Sequence, residues 1–400
     1  MKLPDNIFQK GRKMNDSLKL YRNIAEFVFK YGMRFHDLRC FITFLWAMVG
    51  LIQSRTVHLS QWSLHRPGRA NAASKQRQLV RWLENPRTEP MQIYQPLIGA
   101  LCQGFERECL FLALDSSVLW ECFVLIRVAL IYRGRALPLS WKVMESKSAA
   151  VAFKTYQPLL EQAAQVLPTT CRVVLLADRG FVDHRVFKAA RDLGWGFRVR
   201  LKSTLWVGHP HRPITTVGAL MPPAGQALFV HRVWLTKHWL GPVHLALAQV
   251  QTPTGFEQWA IVSDEPTNLH TLDEFGLRFD IEENFLDDKS AGFQLESSQI
   301  RDAAALARLC LVLATSTLYL VSCGSQVVAN HLRRQVDAHW QRGLSFLQIG
   351  WRWLSHALSN DLPLPSQLRL LPQADFDLVL ASKRQAARPI AAVFALSLLT

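Results

Sequence analysis

The chain has 400 residues, of which 49% are hydrophobic, and its formal net charge is +15. This much apolar sequence allows a large buried core and excludes wholesale disorder, and the length suggests two or three domains. A positive balance of this size predicts an anionic partner, which could be a nucleic acid or an acidic membrane surface.

The positive charge is concentrated in the N-terminal quarter of the chain. Residues 1–100 contain 16 Lys and Arg against 6 Asp and Glu, a net of +10, so the remaining 300 residues contribute +5. Charge alone leaves a merely solvated basic surface as the alternative. Helical spacing of apolar residues predicts four helices at about 17–31, 35–53, 75–83 and 91–105. Short helices with basic linkers suit a DNA-binding domain over 1–105, although the spacing also fits other small helical domains.

Beyond residue 105, short apolar strands alternate with helices. The strands are expected at 110–114, 123–132, 136–141, 173–177 and 197–201, and the helices at 148–166 and 183–193. This alternation implies an α/β fold with a mainly parallel sheet over 106–202.

In the second half of the chain the alternation of strands and helices stops, and a helical pattern later returns. Alternating apolar positions with Gly and Pro predict an inserted antiparallel β region over 203–265. Helical pattern returns over 266–330, and 331–400 is expected to be a helical region with an irregular, proline-containing tail.

Cysteine usage and apolar segments bear on the cellular compartment. The 7 cysteines include no C-x-x-C pair, which argues against a disulfide framework or a cysteine zinc site and favours a reducing cytosol. The N-terminus lacks the apolar core of a signal peptide. Ala303–Cys323 contains Arg308, and it reads as a buried helix rather than a membrane span. We therefore expect a cytoplasmic, nucleoid-associated protein with no membrane partner.

Three acidic residues form the candidate catalytic set. Asp115 and Asp178 each follow an apolar strand, and ligands of open α/β sheets bind just outside the carboxyl ends of strands. The best third acid is Glu282, which on a helix shares a face with Arg278 four residues before it and with Lys289 seven residues after it.

Each of these signals also has a purely structural explanation when it is taken alone. An Asp after a strand is often a turn or a helix cap, and an acid–base pair at i, i+4 usually lies on a solvated face. Neighbouring acids compete for the third position, namely Glu283, Asp287 and Asp288.

Taken together, the three carboxylates suit two-metal phosphoryl transfer. Two ions about 4 Å apart can activate the attacking oxygen and stabilise the leaving oxygen of an in-line displacement. Hard oxygen ligands favour Mg²⁺ or Mn²⁺, so we expect two such ions per active site.

At this point the chain resembles bacterial insertion-sequence transposases of the DDE class, of the insertion-sequence-four type. The signature Tyr-x2-Arg-x3-Glu-x6-Lys of that branch reads Phe275-x2-Arg278-x3-Glu282-x6-Lys289 here, with Phe in place of Tyr. The Ala177–Phe181 segment, which includes Asp178 and Arg179, looks like the second-Asp block of the family. The resemblance covers roughly residues 75–355.

The resemblance implies an RNase H-like catalytic core, with the inserted β region between the second Asp and the Glu. It further implies that Asp115, Asp178 and Glu282 bind the metals, and that Phe275, Arg278, Arg179 and Lys289 contact DNA. Trp259 matches the place of a Trp that stacks on a flipped base in a relative, although a core Trp on a β-strand is an equal alternative. In the N-terminal domain, the residues expected near the duplex are Arg77, Arg81 and Arg87.

The activity implied by the resemblance is that of a DNA transposase. Such an enzyme cleaves transposon ends at their terminal inverted repeats and joins them to target DNA, as a dimer in the synaptic complex, and a hairpin intermediate is one route. Two alternatives remain: a catalytically inactive or domesticated DNA-binding protein with the same fold, and another RNase H-fold nuclease such as a junction resolvase.

Overall fold

The computed structural model describes residues 16–235, 240–252, 255–337, 344–372 and 395–398. Within them the helices are α1 (Asp16–Lys30), α2 (Leu38–Ser54), α3 (Leu59–His65), α4 (Ala72–Glu84), α5 (Pro90–Cys102), α6 (Phe153–Val166), α7 (His184–Asp192), α8 (Leu269–Gly276), α9 (Phe279–Leu286), α10 (Ala303–Ala329) and α11 (Phe346–Ser359). The strands are β1 (Cys109–Leu119), β2 (Phe123–Tyr132), β3 (Arg135–Glu145), β4 (Arg172–Ala177), β5 (Gly196–Arg200), β6 (Trp206–His209), β7 (Arg212–Thr216), β8 (Gln226–Leu235), β9 (Leu240–Thr252), β10 (Gly255–Ser263) and β11 (Ala395–Leu398).

One mixed sheet runs through the middle of the molecule, in the order β3-β2-β1-β4-β5-β10-β9-β8-β6-β7. The strands β1, β4 and β5 are parallel neighbours, whereas β2 is antiparallel to both β1 and β3. The apolar runs of β1 and β4 are fully buried at Leu112, Ala113 and Val174, as expected for strands covered on both faces.

The antiparallel strands predicted over 203–265 are present as β6 to β10. They extend the central sheet instead of forming a separate one, because β10 pairs antiparallel with β5. Most of the tail predicted to be irregular, residues 373–394, lies outside the described residues. At its far end the prediction was wrong, since Ala395–Leu398 forms a strand parallel to β8.

Helices cover both faces of the sheet next to the predicted acids. Consecutive side chains of a strand point to opposite faces, and on β3 the Ser140 hydroxyl donates to Leu159 of α6 while the Trp141 indole donates to Ala307 of α10. Asp115, Arg127 and Trp141 are register partners across β1, β2 and β3. Asp115 therefore shares a sheet face with the residue that contacts α10.

The predicted helices of the N-terminal region correspond to α1, α2, α4 and α5, with ends displaced by a few residues. The short helix α3 was not predicted, because its 7 residues carry less than two full turns of apolar repeat. Helix α4 begins earlier than predicted, because the Asn71 side chain caps it by accepting from the Ser74 backbone N–H.

These N-terminal helices have no core of their own. Their buried apolar side chains belong to the same cluster as those of the sheet, α10 and α11. Arg308 of α10 is buried and donates to the backbone carbonyls of Leu83 and Thr88, and Trp351 of α11 donates to that of Ile52. The boundary expected near residue 105 therefore does not separate two packed units.

Helix α10 is long and apolar enough to cross a membrane by length and composition. Among the described residues, α2 and α3 meet the same test only as one span bent by 101°. In this structure α10 is the central core helix, with nearly all of its side chains buried.

Helices α10 and α11 approach each other through glycine. A Cβ atom on Gly324 would overlap the carbonyl oxygen of Phe346, and one on Gly350 would overlap that of Leu320. The two backbones are therefore in direct contact where these glycines meet.

Candidate active site

The two predicted aspartates lie side by side on adjacent parallel strands. Leu114 is the register partner of Ala177, and Ala177 that of Val199, so the next residues on the three strands are Asp115, Asp178 and Arg200. The sequence placed Asp115 after the end of its strand, but β1 continues to Leu119 because it still pairs there with β2. What ends at Leu114 is the parallel pairing with β4.

Arg278 and Glu282 approach Asp115 from helix α9, Arg278 as the residue directly before the helix. Arg278 Nη1 donates to Asp115 Oδ2 at 2.9 Å, and Arg278 Nη2 donates to Glu282 Oε1 at 2.7 Å. The next acid, Glu283, faces elsewhere, with its Oε2 3.8 Å from Arg135. Helix phase in α9 thus brings Glu282 to Asp115, and it turns Glu283 away.

The Asp115 carboxyl responds to its burial and to the charges around it. Burial is the main reason that the pKa of the Asp115 carboxyl rises to about 6. Arg278 opposes this rise in pKa, whereas the negative charges of Glu282 and Asp178 add to it.

Asp178 has an oxygen without a hydrogen bond. Within the described residues, its Oδ1 is buried and accepts none, and Arg200 Nη1 lies 3.9 Å away. That arginine is bound more closely by Glu257, at 2.7 Å. Arg200 was not predicted from the sequence, although its place at the end of the strand next to Asp178 follows the same carboxyl-end rule.

The competing acids Asp287 and Asp288 belong to a buried ion-pair network. Asp288 Oδ2 accepts from Arg127 at 2.7 Å, and Asp287 Oδ2 accepts from Arg135 at 2.7 Å. All four side chains are almost completely buried. These pairs tie the segment after α9 to β2 and β3, and they place neither aspartate beside Asp115.

Lys289 does not continue the face of α9. Residues Asp287–Ala291 form a π-helical turn, which changes the rotation per residue. The Lys289 ammonium donates to the Val118 carbonyl at 2.8 Å and pairs with Glu296 at 3.2 Å. The single charged stripe predicted from Arg278 through Lys289 is therefore broken, and Lys289 contacts the end of β1.

Phe275 and Trp259 are core residues in this structure. Phe275 is fully buried and Trp259 is 3% exposed, in an apolar cluster formed by β8, β9, β10 and α8. The Trp259 ring packs edge-on against Phe275 and stacks on Phe279, with centroid distances of 5.2 and 5.7 Å. This packing favours the core alternative for Trp259, and it leaves Phe275 no surface to offer to DNA.

The other predicted DNA contacts lie on the surface. Arg179, directly after Asp178, is exposed. Three arginines of the N-terminal region are also exposed: Arg77 and Arg81 on α4, and Arg87 in the turn between α4 and α5. Arg77 and Arg81 stand four residues apart on α4 and share a face.

The donor set of the cluster suits a hard divalent cation, since it consists of carboxylate oxygens, one of which is buried and accepts no hydrogen bond among the described residues. As they stand, no three His, Cys, Asp or Glu side chains of the described residues enclose a metal position. At this site the Arg278 guanidinium lies between Asp115 and Glu282, so these two carboxylates do not face a common empty position.

Comparisons with known proteins give a remote structural likeness and no match in sequence. No protein-family model matches the chain, and no curated protein matches it. Among solved structures, a cryo-EM structure of a piggyBac transposase synaptic complex with hairpin DNA matches with a TM-score of 0.40 and 12% identity, over 98% of this chain and 79% of that one. A likeness this distant does not establish a family, so the function has to be inferred from the residues of this chain.

Proposed function

We propose that this protein is a DDE-type DNA transposase that cuts and joins DNA with metals held by Asp115, Asp178 and Glu282. The observation that carries the proposal is the placement of these acids. Asp115 and Asp178 directly follow the register partners Leu114 and Ala177 on adjacent parallel strands, and Glu282 is joined to Asp115 through Arg278. Both the acids and their spacing to Arg278 were expected from the sequence.

The strand order adds support for an RNase H-like core. In that fold the order is 3-2-1-4-5, with the second strand antiparallel, and β1 to β5 have the same order and directions. Strands β6 to β10 lie between β5 and α8 in the chain, which is where the resemblance places the β insertion.

In the proposed mechanism, Asp115, Asp178 and Glu282 would hold Mg²⁺ or Mn²⁺, two ions per site. The ions supply activation of the attacking oxygen and stabilisation of the leaving oxygen at phosphorus. The protein contributes no nucleophilic side chain, since water or a DNA 3′-hydroxyl attacks. We expect Arg179, which is exposed and next to Asp178, to contact a phosphate beside the cut.

The function can be tested with DNA from the two flanks of the gene. Purified full-length protein is incubated with labelled duplexes from those flanks in Mg²⁺, in Mn²⁺ and in EDTA. We expect metal-dependent cleavage at inverted repeats and transfer of the cut ends to a second duplex. Absence of any metal-dependent cleavage would overturn the proposal, and retained binding would then identify an inactive DNA-binding protein.

A four-way junction included in the same assay separates the other alternative. A junction cut in preference to the flanking duplexes would identify a resolvase-like nuclease. Two features here argue against that reading: the long β extension from β6 to β10, and the arginine shared between two of the acids.

DNA binding is proposed to depend on the arginines of the N-terminal region. With Arg77, Arg81 and Arg87 together replaced by Ala, the slope of log K against log salt should become shallower by about 3, because each phosphate contact contributes about 0.9. Affinity should fall uniformly across DNA sequences. The measurement is a fluorescence-anisotropy titration of the full chain over a range of salt concentrations.

Arg352→Ala, which removes an exposed arginine of α11, controls for the loss of surface charge alone. An unchanged slope for the triple variant, or an equal change per arginine for Arg352→Ala, would place the DNA elsewhere.

A further inference from the structure

Arg278 is placed and packed as a fixed cation within the acidic cluster. Its side chain is 4% exposed and donates one nitrogen to Asp115 and another to Glu282, at 2.9 and 2.7 Å. The guanidinium also lies over the ring of Phe279, 4.7 Å from its centroid. A guanidinium keeps its proton in proteins, so this positive charge is permanent.

The three acids differ in how much of their charge is already satisfied. Asp115 and Glu282 each give an oxygen to Arg278 in a short charge-assisted hydrogen bond. Asp178 instead keeps a buried oxygen that accepts no hydrogen bond among the described residues. Asp178 is also the acid with the weaker cationic partner, since Arg200 Nη1 lies 3.9 Å from that oxygen.

We propose that Arg278 is an internal counter-ion that competes with divalent metal for Asp115 and Glu282, and so weakens metal binding in the DNA-free protein. The inference rests on the proposed function, since it assumes that these acids are the metal ligands. Oxygens committed to the guanidinium are not available to a metal, and the positive charge repels a second cation from the same space.

The consequence is a nuclease whose resting state resists loading with metal. Arg278 would have to leave at least one of the two acids before both could serve as ligands. A DNA phosphate that arrives at the site offers Arg278 another anion, which suits a guanidinium well.

The test is a titration of the full-length protein with Mn²⁺ in the absence of DNA, followed by electron paramagnetic resonance. Arg278→Met removes the charge and keeps a long side chain, and it should tighten Mn²⁺ binding by about 10-fold, within the range of couplings between linked sites. Adding Asp178→Asn to this variant should remove the tight binding, which shows that the Mn²⁺ sits at the acids.

Arg198→Met is the matched control. Arg198 is also buried and also bridges two acids, Glu265 and Glu274, at 2.7 and 2.8 Å, yet it contacts none of the three candidate ligands in the described structure. Its replacement removes the same charge from the chain, and it should leave the Mn²⁺ affinity unchanged.

The outcomes separate the two proposals. If wild type binds Mn²⁺ through Asp178 and Arg278→Met binds no more tightly than Arg198→Met, the counter-ion inference is wrong and the metal site stands. If neither wild type nor any variant shows Mn²⁺ binding that Asp178→Asn abolishes, the proposed metal site is wrong, and the counter-ion inference is wrong with it.

Should Arg278→Met fail to fold by circular dichroism, Arg278→Lys takes its place. A lysine is a point charge that satisfies one acid at a time, and it should tighten binding by a smaller factor.

Discussion

Glu282→Gln is expected to abolish Mg²⁺-dependent DNA cleavage, whereas Glu283→Gln is expected to leave the rate within about twofold of wild type. An amide lacks the charge that holds a divalent cation, and loss of several kcal/mol of transition-state stabilisation corresponds to a drop of about 10³-fold or more. The two residues are adjacent, but Glu282 is bound by Arg278 beside Asp115, while Glu283 faces Arg135. The measurement is single-turnover cleavage of a labelled duplex.

A gel shift with the same duplex provides the control for the pair of variants. Both should bind DNA as wild type does, because binding is proposed to draw on the N-terminal arginines. A dead Glu283→Gln beside an active Glu282→Gln would mean that the catalytic face of α9 has been assigned wrongly, and the role given to Arg278 would then fail as well.

Gly324→Ala and Gly350→Ala are each expected to lower the free energy of unfolding by about 3 kcal/mol or more, at or above the upper end for overpacked cores. In both cases the added methyl group meets a backbone carbonyl of the opposite helix. Backbone cannot rotate aside as the end of a side chain can, so α10 and α11 must separate. Urea denaturation measures this change in the free energy of unfolding, provided that the dependence on urea concentration has the same slope in the variants and in wild type.

Two comparisons make this prediction specific. Gly99 of α5 has only ordinary contacts at 3.8 Å from Val166, so Gly99→Ala should stabilise the protein by roughly 0.5–1 kcal/mol through helix propensity. The Gly324→Ala/Gly350→Ala double variant should lose less than the sum of the single losses, because one separation of the helices relieves both contacts. Additive losses would contradict a shared contact.

The positions of the three candidate acids could be predicted from the sequence because they depend on local rules. Apolar runs marked the strands that carry Asp115 and Asp178, and the carboxyl-end rule placed their side chains at one edge. Helix phase separated Glu282 from Glu283, which face different arginines. These inferences use neighbours within about seven residues along the chain.

Features that depend on distant neighbours were not predictable in this way. The burial of Phe275 and Trp259 follows from packing between α8 and β10, and spacing along one strand or helix does not reveal it. The π-helical turn that redirects Lys289 contains two aspartates held by Arg127 and Arg135, which come from strands about 150 residues earlier. The core position of Arg278 likewise depends on Asp115, 163 residues away.

Helix α10 packs against both the N-terminal helices and the sheet, so the chain cannot be cut between them without exposing its core. One side of this helix supports the N-terminal helices through Arg308, and the other supports the sheet through the contact with Trp141. A truncated chain that ended near residue 105 would expose apolar surface that α10 now covers, and it should aggregate or be degraded. Mutations that loosen α10 should therefore destabilise the N-terminal helices and the sheet together.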